Sequence, residues 1–298
     1  MRRRFFTLDV FTTKRFAGNP LAVVLESGGL DTAAMQTIAR EYNLPETVFV
    51  FPADDPKHRA RLRIFTPARE LPFAGHPTVG TAVLLAHLDG GSQQRKIILG
   101  EVIGPVVCTV QPGEEGGSAT FGIPKLPEKT GGVQDLAKLA ASLSLGASDL
   151  GFEKFVPDYW SAGNAFAFVP VRGLDAMARA RPDMSKWREV FPDDGPNGAY
   201  LYCRDVVDRA AAYHTRMFAP KMGITEDPAT GSAAATFAGV LAASGQYGDG
   251  EHAVVLEQGI EMGRPSLIRL ALNMHGGKLV SAAVGGDAVV VSEGTIEA

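Results

Sequence analysis

A chain of 298 residues, 45% hydrophobic and 21% charged, has the composition of an ordinary globular protein and is long enough for one large core or two medium ones. A net charge of −4 gives no electrostatic reason to expect nucleic acid or an anionic membrane as partner, and Arg2-Arg3-Arg4 reads as a solvated end. Asp9, Thr12, Thr13 and Lys14 break every apolar run that could serve as a signal-peptide core, so a cytoplasmic protein is expected.

In chain order, Gly18-Asn19 is a turn that runs into the apolar stretch Pro20 to Val24. Asp31 to Glu41 has the spacing of an amphipathic helix with Asp31 as its N-cap. Thr47–Phe51 and Ala60–Phe65 alternate as half-buried strands do. Thr78 to Leu88 is apolar nearly all round and rich in small residues, which predicts a buried helix. Cys108 lies in a strand-like stretch that ends in a hairpin tip at Gln111–Ser118, and turn formers from Ile123 to Gly132 read as a linker. We therefore divide the chain into an N-terminal half, 1–125, and a C-terminal half, 126–298. In the second half, Gly163-Asn164 is again a turn into a strand, Ala199–Cys203 is strand-like, and Thr230 to Ala243 is a second helix without a polar face. Gly276 to Val291 reads as two strands joined by a Gly-Gly-Asp hairpin, and the pattern leaves open whether the last strand stays with the second half or returns to the first.

The halves echo one another. Phe65-Thr66-Pro67 followed by Gly75-His76-Pro77-Thr78-Val79-Gly80 corresponds to Phe218-Ala219-Pro220 followed by Asp227-Pro228-Ala229-Thr230-Gly231-Ser232, and the two Gly-Asn turns correspond as well, at offsets between 145 and 153 residues. Such an echo predicts a duplicated unit, each copy with a Gly-rich turn at the start of a buried helix. A helix start presents unsatisfied amides and partial positive charge, and the missing Cβ of Gly75, Gly80 and Gly231 permits tight turns and close approach of an anion. Asp227, Thr230 and Ser232 are equally able to act as simple caps. Glu46, at the mouth of an apolar strand, reads either as a solvated strand-entry residue or as a general acid/base in an apolar setting.

These residues carry a family resemblance. Asp9-Val10-Phe11 with Phe16-Ala17-Gly18-Asn19-Pro20, Asn43-Leu44-Pro45-Glu46-Thr47, Glu70-Leu71-Pro72-Phe73-Ala74-Gly75-His76-Pro77-Thr78, Glu226-Asp227-Pro228-Ala229-Thr230-Gly231-Ser232, and Gln258-Gly259 with Met262-Gly263-Arg264-Pro265-Ser266 run across almost the whole chain in order. The chain resembles the phenazine-biosynthesis PhzF-like proteins, which are related in fold to diaminopimelate epimerase and proline racemase. The resemblance implies an α+β fold of two pseudosymmetric diaminopimelate-epimerase-like halves, each a curled, mainly antiparallel sheet around a central buried helix, with the site in the cleft between them. It implies Glu46 as the proton-transferring acid/base, with His76 and Asp227 assisting. Gly75, Gly231, Ser232 and Asn19 are the expected substrate-binding residues, and a homodimer is the expected assembly.

The related racemases place one cysteine at each helix turn. Here Cys108 and Cys203 lie elsewhere, which favours one carboxylate moving a proton between carbons over two-thiol racemisation. The expected activity is a cofactor-independent isomerisation, a double-bond shift in a small cyclic or carboxylate-bearing metabolite. An epimerase of a small carboxylic acid, and a non-catalytic binding protein on the same scaffold, are the alternatives. The histidines form no HxxxH or HExxH pair and no GxGxxG joins a strand to a helix, so neither metal, nucleotide nor flavin is expected.

Overall fold

The computed structural model describes residues 1–298. It divides into two compact units, residues 1–122 with 284–298, and residues 123–283. The first contains β1 (Arg2–Val10), β2 (Asn19–Val24), α1 (Thr32–Tyr42), β3 (Glu46–Phe51), β4 (Ala60–Phe65), β5 (Glu70–Leu71), α2 (Gly75–Asp89), β6 (Arg95–Glu101), β7 (Gly104–Pro112) and β8 (Gly116–Gly122). The second contains β9 (Glu128–Gly132), α3 (Leu136–Ser142), β10 (Asp158–Ser161), β11 (Ala165–Pro170), α4 (Leu174–Arg179), α5 (Met184–Val190), β12 (Ala199–Cys203), β13 (Tyr213–Ala219), β14 (Ile224–Asp227), α6 (Gly231–Ala243), β15 (Gly250–Gln258) and β16 (Ser266–His275). The last strand, β17 (Lys278–Glu297), begins in the second unit and ends in the first.

The duplication is visible in the pairings. In the first unit β1 and β2 are antiparallel, β2 and β3 parallel, β3 and β4 antiparallel, β4 and β6 parallel, and β6 and β7 antiparallel. In the second unit β10 and β11, β11 and β12, β12 and β13, β13 and β15, and β15 and β16 repeat that series in the same senses. Both units are mainly antiparallel, and each covers a helix buried on every side.

In the first unit that helix is α2, buried without interruption from Gly75 to Ala86. Each of Val79, Val83, Leu84 and Leu85 is withdrawn from water, worth about 1.5–3 kcal/mol apiece. Gly80 serves close packing: a Cβ there would sit 2.7 Å from both Leu21 Cδ2 and Val10 Cγ2. In the second unit α6 centres on Phe237, whose ring meets Tyr202 at 4.6 Å, Tyr213 at 5.3 Å and Phe168 at 5.9 Å. Gly239 lets Trp160 lie against the helix, since a Cβ would be 2.9 Å from its ring, and Tyr159 packs on the core of this unit. Cys108 and Cys203 are buried strand residues. No helix is long and apolar enough to cross a membrane.

Two sequence expectations are corrected. The stretch expected as a linker contains a strand, β9, which pairs with β10. The expected Gly-Gly-Asp hairpin does not form: β17 is one strand of 20 residues, and the two-residue turn lies earlier, at Gly276-Gly277, both with positive φ. Gly285 is extended and required by packing, because a Cβ would meet Thr120 Oγ1 at 2.2 Å and the Ala119 carbonyl at 2.5 Å.

Candidate functional site

The first unit brings together one group of candidate residues. Asn43 ends α1 in the left-handed conformation, φ 51°, which turns Leu44-Pro45 into β3 and places Glu46 as its first residue beside Leu21 on β2. The Glu46 side chain is 12% exposed, and its Oε2 lies 3.3 Å from Nε2 of His76, the second residue of α2. Burial drives the His76 ring down to about pKa 3, against a hydrogen bond to the Pro20 carbonyl that favours the protonated form. The ring is therefore neutral at physiological pH and carries one N–H. Nε2 makes no hydrogen bond, so Nδ1 donates to Pro20 and Nε2 turns its lone pair toward Glu46. In this tautomer Nε2 can only accept, so a hydrogen bond joins the pair only when Glu46 is protonated.

The loop before Pro20 is tightly determined. Asn19 is fully buried at the start of β2, opposite Val10. Gly18 has φ +64°, and a Cβ would sit 2.4 Å from the Val10 carbonyl. The buried Asp9 carboxylate accepts the Phe16 amide at 2.6 Å. Together these contacts fix the carbonyl that selects the His76 tautomer.

Helix α2 starts without a side-chain cap, because its N-cap is Ala74. Pro77 has no N–H, so the amides of Gly75 and His76 are the first-turn donors that a ligand anion can take. Neither Gly75 nor Gly231 has the positive φ of a turn glycine; both begin helices.

The second unit builds a matching turn from different side chains. Thr230 is the N-cap of α6, but its hydroxyl donates to Asp227 Oδ2 at 2.5 Å instead of capping the helix. Gly231 and Ser232 thus open α6 with uncapped amides. Gln258 holds the turn through three contacts: Nε2 donates to the Asp227 carbonyl at 2.7 Å and to Thr230 Oγ1 at 3.0 Å, while Oε1 accepts the Thr230 amide at 3.2 Å. Ser266 Oγ donates to the Pro228 carbonyl at 3.0 Å. The Gln258-Gly259 and Arg264-Pro265-Ser266 stretches were thus legible as motifs, but not as braces of the Asp227 turn.

Behind this turn His214 lies 2.7 Å from Glu257 and 2.9 Å from Glu261, one carboxylate on each ring nitrogen. Burial alone would lower its pKa, but the two carboxylates prevail and raise it to about 9, so the ring is an imidazolium. Arg216 forms a bidentate pair with Glu226 at 2.8 and 2.9 Å, which anchors the residue preceding Asp227. Sequence reasoning missed this buried charge cluster because its members are scattered from 214 to 261. Of the expected residues, Glu46, His76, Gly75 and Asn19 come together in the first unit, and Asp227, Gly231 and Ser232 in the second.

The model of the family described as phenazine biosynthesis-like protein matches residues 8–294. The chain is 49% identical over 297 residues to an uncharacterized isomerase of Mesorhizobium japonicum, covering 99% of this chain and 98% of the relative. It is 35% identical over 295 residues to a trans-2,3-dihydro-3-hydroxyanthranilate isomerase of Pseudomonas fluorescens, covering 98% of each. Among solved structures, a phenazine biosynthesis protein of the PhzF family from Bacillus anthracis superposes with TM-score 0.87 at 28% identity over 100% of both chains. A hydroxyproline epimerase from Agrobacterium vitis shares the fold alone, with TM-score 0.63 at 13% identity over 99% of this chain and 92% of the other. Fold and relatives together define an isomerase. The chain belongs to the phenazine biosynthesis-like, or PhzF, family.

Proposed function

We propose that this protein is a cofactor-independent isomerase that moves a proton, and with it a double bond, within a small cyclic carboxylate-bearing metabolite. The observation that carries the reading is the contact of Glu46 Oε2 with the neutral His76 ring at 3.3 Å, beside the uncapped start of α2. In the proposed cycle the Glu46 carboxylate takes a proton from one carbon, the C–H electron pair becomes a new C=C bond, and the existing double bond shifts. The carbon at the far end of the shifted system takes the proton back. No net electron or proton is gained or lost.

His76 supports this cycle as an acceptor. While Glu46 holds the proton, Nε2 receives a hydrogen bond from it; once the proton leaves, the carboxylate is again free to act as base. The ring takes up a proton only near pH 3, so it is a weak base, which disfavours an epimerase with His76 as the opposing base. We assign the amides of Gly75, Gly231 and Ser232 to the substrate carboxylate, with Asn19 and Asp227 as polar contacts. The proposal also takes the enzyme to be a cytoplasmic homodimer, and a monomer mass in sedimentation equilibrium would contradict the dimer.

The name of the Pseudomonas relative supplies the first substrate to try, trans-2,3-dihydro-3-hydroxyanthranilate. Purified protein is incubated with it and with other cyclic amino and hydroxy acids in deuterium oxide, with product and label followed by NMR. The proposal expects a shifted double bond and a new C–H(D) position with wild type. Inversion at one carbon on chiral chromatography, without a double-bond shift, would favour the epimerase instead. Binding without either change would favour the non-catalytic reading.

A further inference from the structure

The first unit holds a second buried carboxyl group that the proposed reaction leaves unused. Glu101, at the end of β6, is 8% exposed. Its Oε1 lies 2.7 Å from Thr78 Oγ1, and its Oε2 is buried without a hydrogen-bond partner. The same Thr78 hydroxyl lies 2.8 Å from the Ala74 carbonyl oxygen, which also accepts the Thr78 amide at 3.2 Å.

Counting protons leaves two states for this chain of contacts. A hydroxyl has one proton, which Thr78 donates either to an ionised Glu101 or to the Ala74 carbonyl, an oxygen that can only accept. In the second state the 2.7 Å contact with Glu101 requires a proton from the acid, and the burial of Glu101 with Oε2 unpaired favours that state. Its environment agrees, because burial pushes Glu101 up to about 8 despite the Thr78 contact that lowers it.

No neighbouring charge offsets this. Cys108, on β7 opposite Ile97, is a neutral thiol raised to about 12 by burial first and by the Glu101 charge second. Glu101 also borders a cavity of about 400 Å³ with Asp54, Asp55, His58, Arg61 and Arg63. Arg61 is taken by Asp54 at 3.2 Å and Arg63 by Glu70 at 2.6 Å. His76, on the same helix as Thr78, is kept neutral by burial.

Ala74 is the N-cap of α2, directly before Gly75 and His76, and has no polar side chain with which to cap its own turn. We infer that Glu101 is a positioning residue: as the protonated acid it donates to Thr78, which clamps the Ala74 carbonyl and thereby orients the Gly75 amide for the substrate anion and the His76 ring toward Glu46. This rests on the reading of Glu46 and His76 as the reacting pair. Ionised Glu101 would draw the Thr78 proton to itself and leave the Ala74 carbonyl with the Thr78 amide alone.

The test compares Glu101→Gln, which keeps a neutral donor, with Glu101→Leu and Thr78→Val, which remove it, and with Thr78→Ser as the rescue. Three readouts are taken between about pH 5 and pH 9: melting temperature, hydrogen exchange of the amides at 75–78, and kcat with KM. The inference expects wild type to lose melting temperature relative to Glu101→Gln as pH rises from 4.5 to about 8. Near pH 6, Glu101→Leu and Thr78→Val should exchange these amides at least about tenfold faster and lose about ten- to a hundredfold in kcat with KM nearly unchanged. Glu101→Gln and Thr78→Ser should stay near wild type, and Glu101→Gln should lack the fall in kcat through about pH 8. Parallel melting profiles for wild type and Glu101→Gln, or unchanged exchange in Glu101→Leu, would overturn the inference. Both readings are made without substrate, so a failure of the proposed reaction leaves them decisive.

Discussion

At the scale of single residues, hydrogen-bond direction carries more of the chemistry than charge does. His76 is a polar residue in an apolar helix, and the Pro20 carbonyl opposite Nδ1 fixes which nitrogen faces Glu46. That Glu46, His76 and Asp227 matter was legible from their motifs. Their partners were not, because a backbone carbonyl 56 positions away or a glutamine 31 positions away has no local signature. Gln258 provides a direct check. Replacing it by Leu removes the hydrogen bonds to the Asp227 carbonyl and from the Thr230 amide, at a cost of about 0.5–1.5 kcal/mol for each. If the turn at Gly231 binds the substrate carboxylate, Gln258→Leu should raise KM about tenfold with a smaller change in kcat. Unchanged KM and stability would show that the brace is idle.

At the scale of elements, the two buried helices were the most legible parts of the chain. A helix without a polar face has to be buried on every side, and both α2 and α6 are. Helix α1 was equally clear, since Asp31 does cap it by accepting the Ala34 amide at 2.8 Å. The last strand was misread because Gly285-Gly286-Asp287 has turn composition. A glycine demanded by the approach of a neighbouring strand looks the same in sequence as one demanded by positive φ. Substitution separates the two cases. Gly285→Ala drives a methyl into Thr120 and Ala119 and should destabilise by about 1–3 kcal/mol in chemical denaturation. Gly276→Asn sits at φ +57° in open space and should stay within about 0.5 kcal/mol of wild type. Equal costs at the two positions would contradict the continuous strand.

At the scale of the molecule, three buried groups set opposing pH dependences. His76 has a folded pKa below its unfolded value, so its contribution to stability is present above 6.5 and is lost as pH falls toward 3. Glu101 has a raised folded pKa, so its contribution is complete below 4.5 and is lost as pH rises to about 8. His214 is raised too, so its contribution is complete below 6.5 and is lost as pH rises through about 9. Between 4.5 and 6.5 the His76 and Glu101 slopes oppose each other, so these groups place the stability maximum there, with a decline on both sides. Melting curves across this range check the shape, and a maximum above about pH 8 would contradict it. The duplication was legible as paired motifs half a chain apart. That strand β17 runs from one unit into the other was left open, because hydropathy alternation names the buried face of a strand and not its partner.

The central claim, that the Glu46 carboxyl carries the proton, is tested most directly by kcat of Glu46→Gln on a substrate the wild-type enzyme isomerises. The amide keeps the size of the side chain but cannot take and return a proton. The account predicts a loss of about 10²- to 10⁴-fold in kcat with a folded protein and retained substrate binding. A Glu46→Gln enzyme within about tenfold of wild type would contradict it.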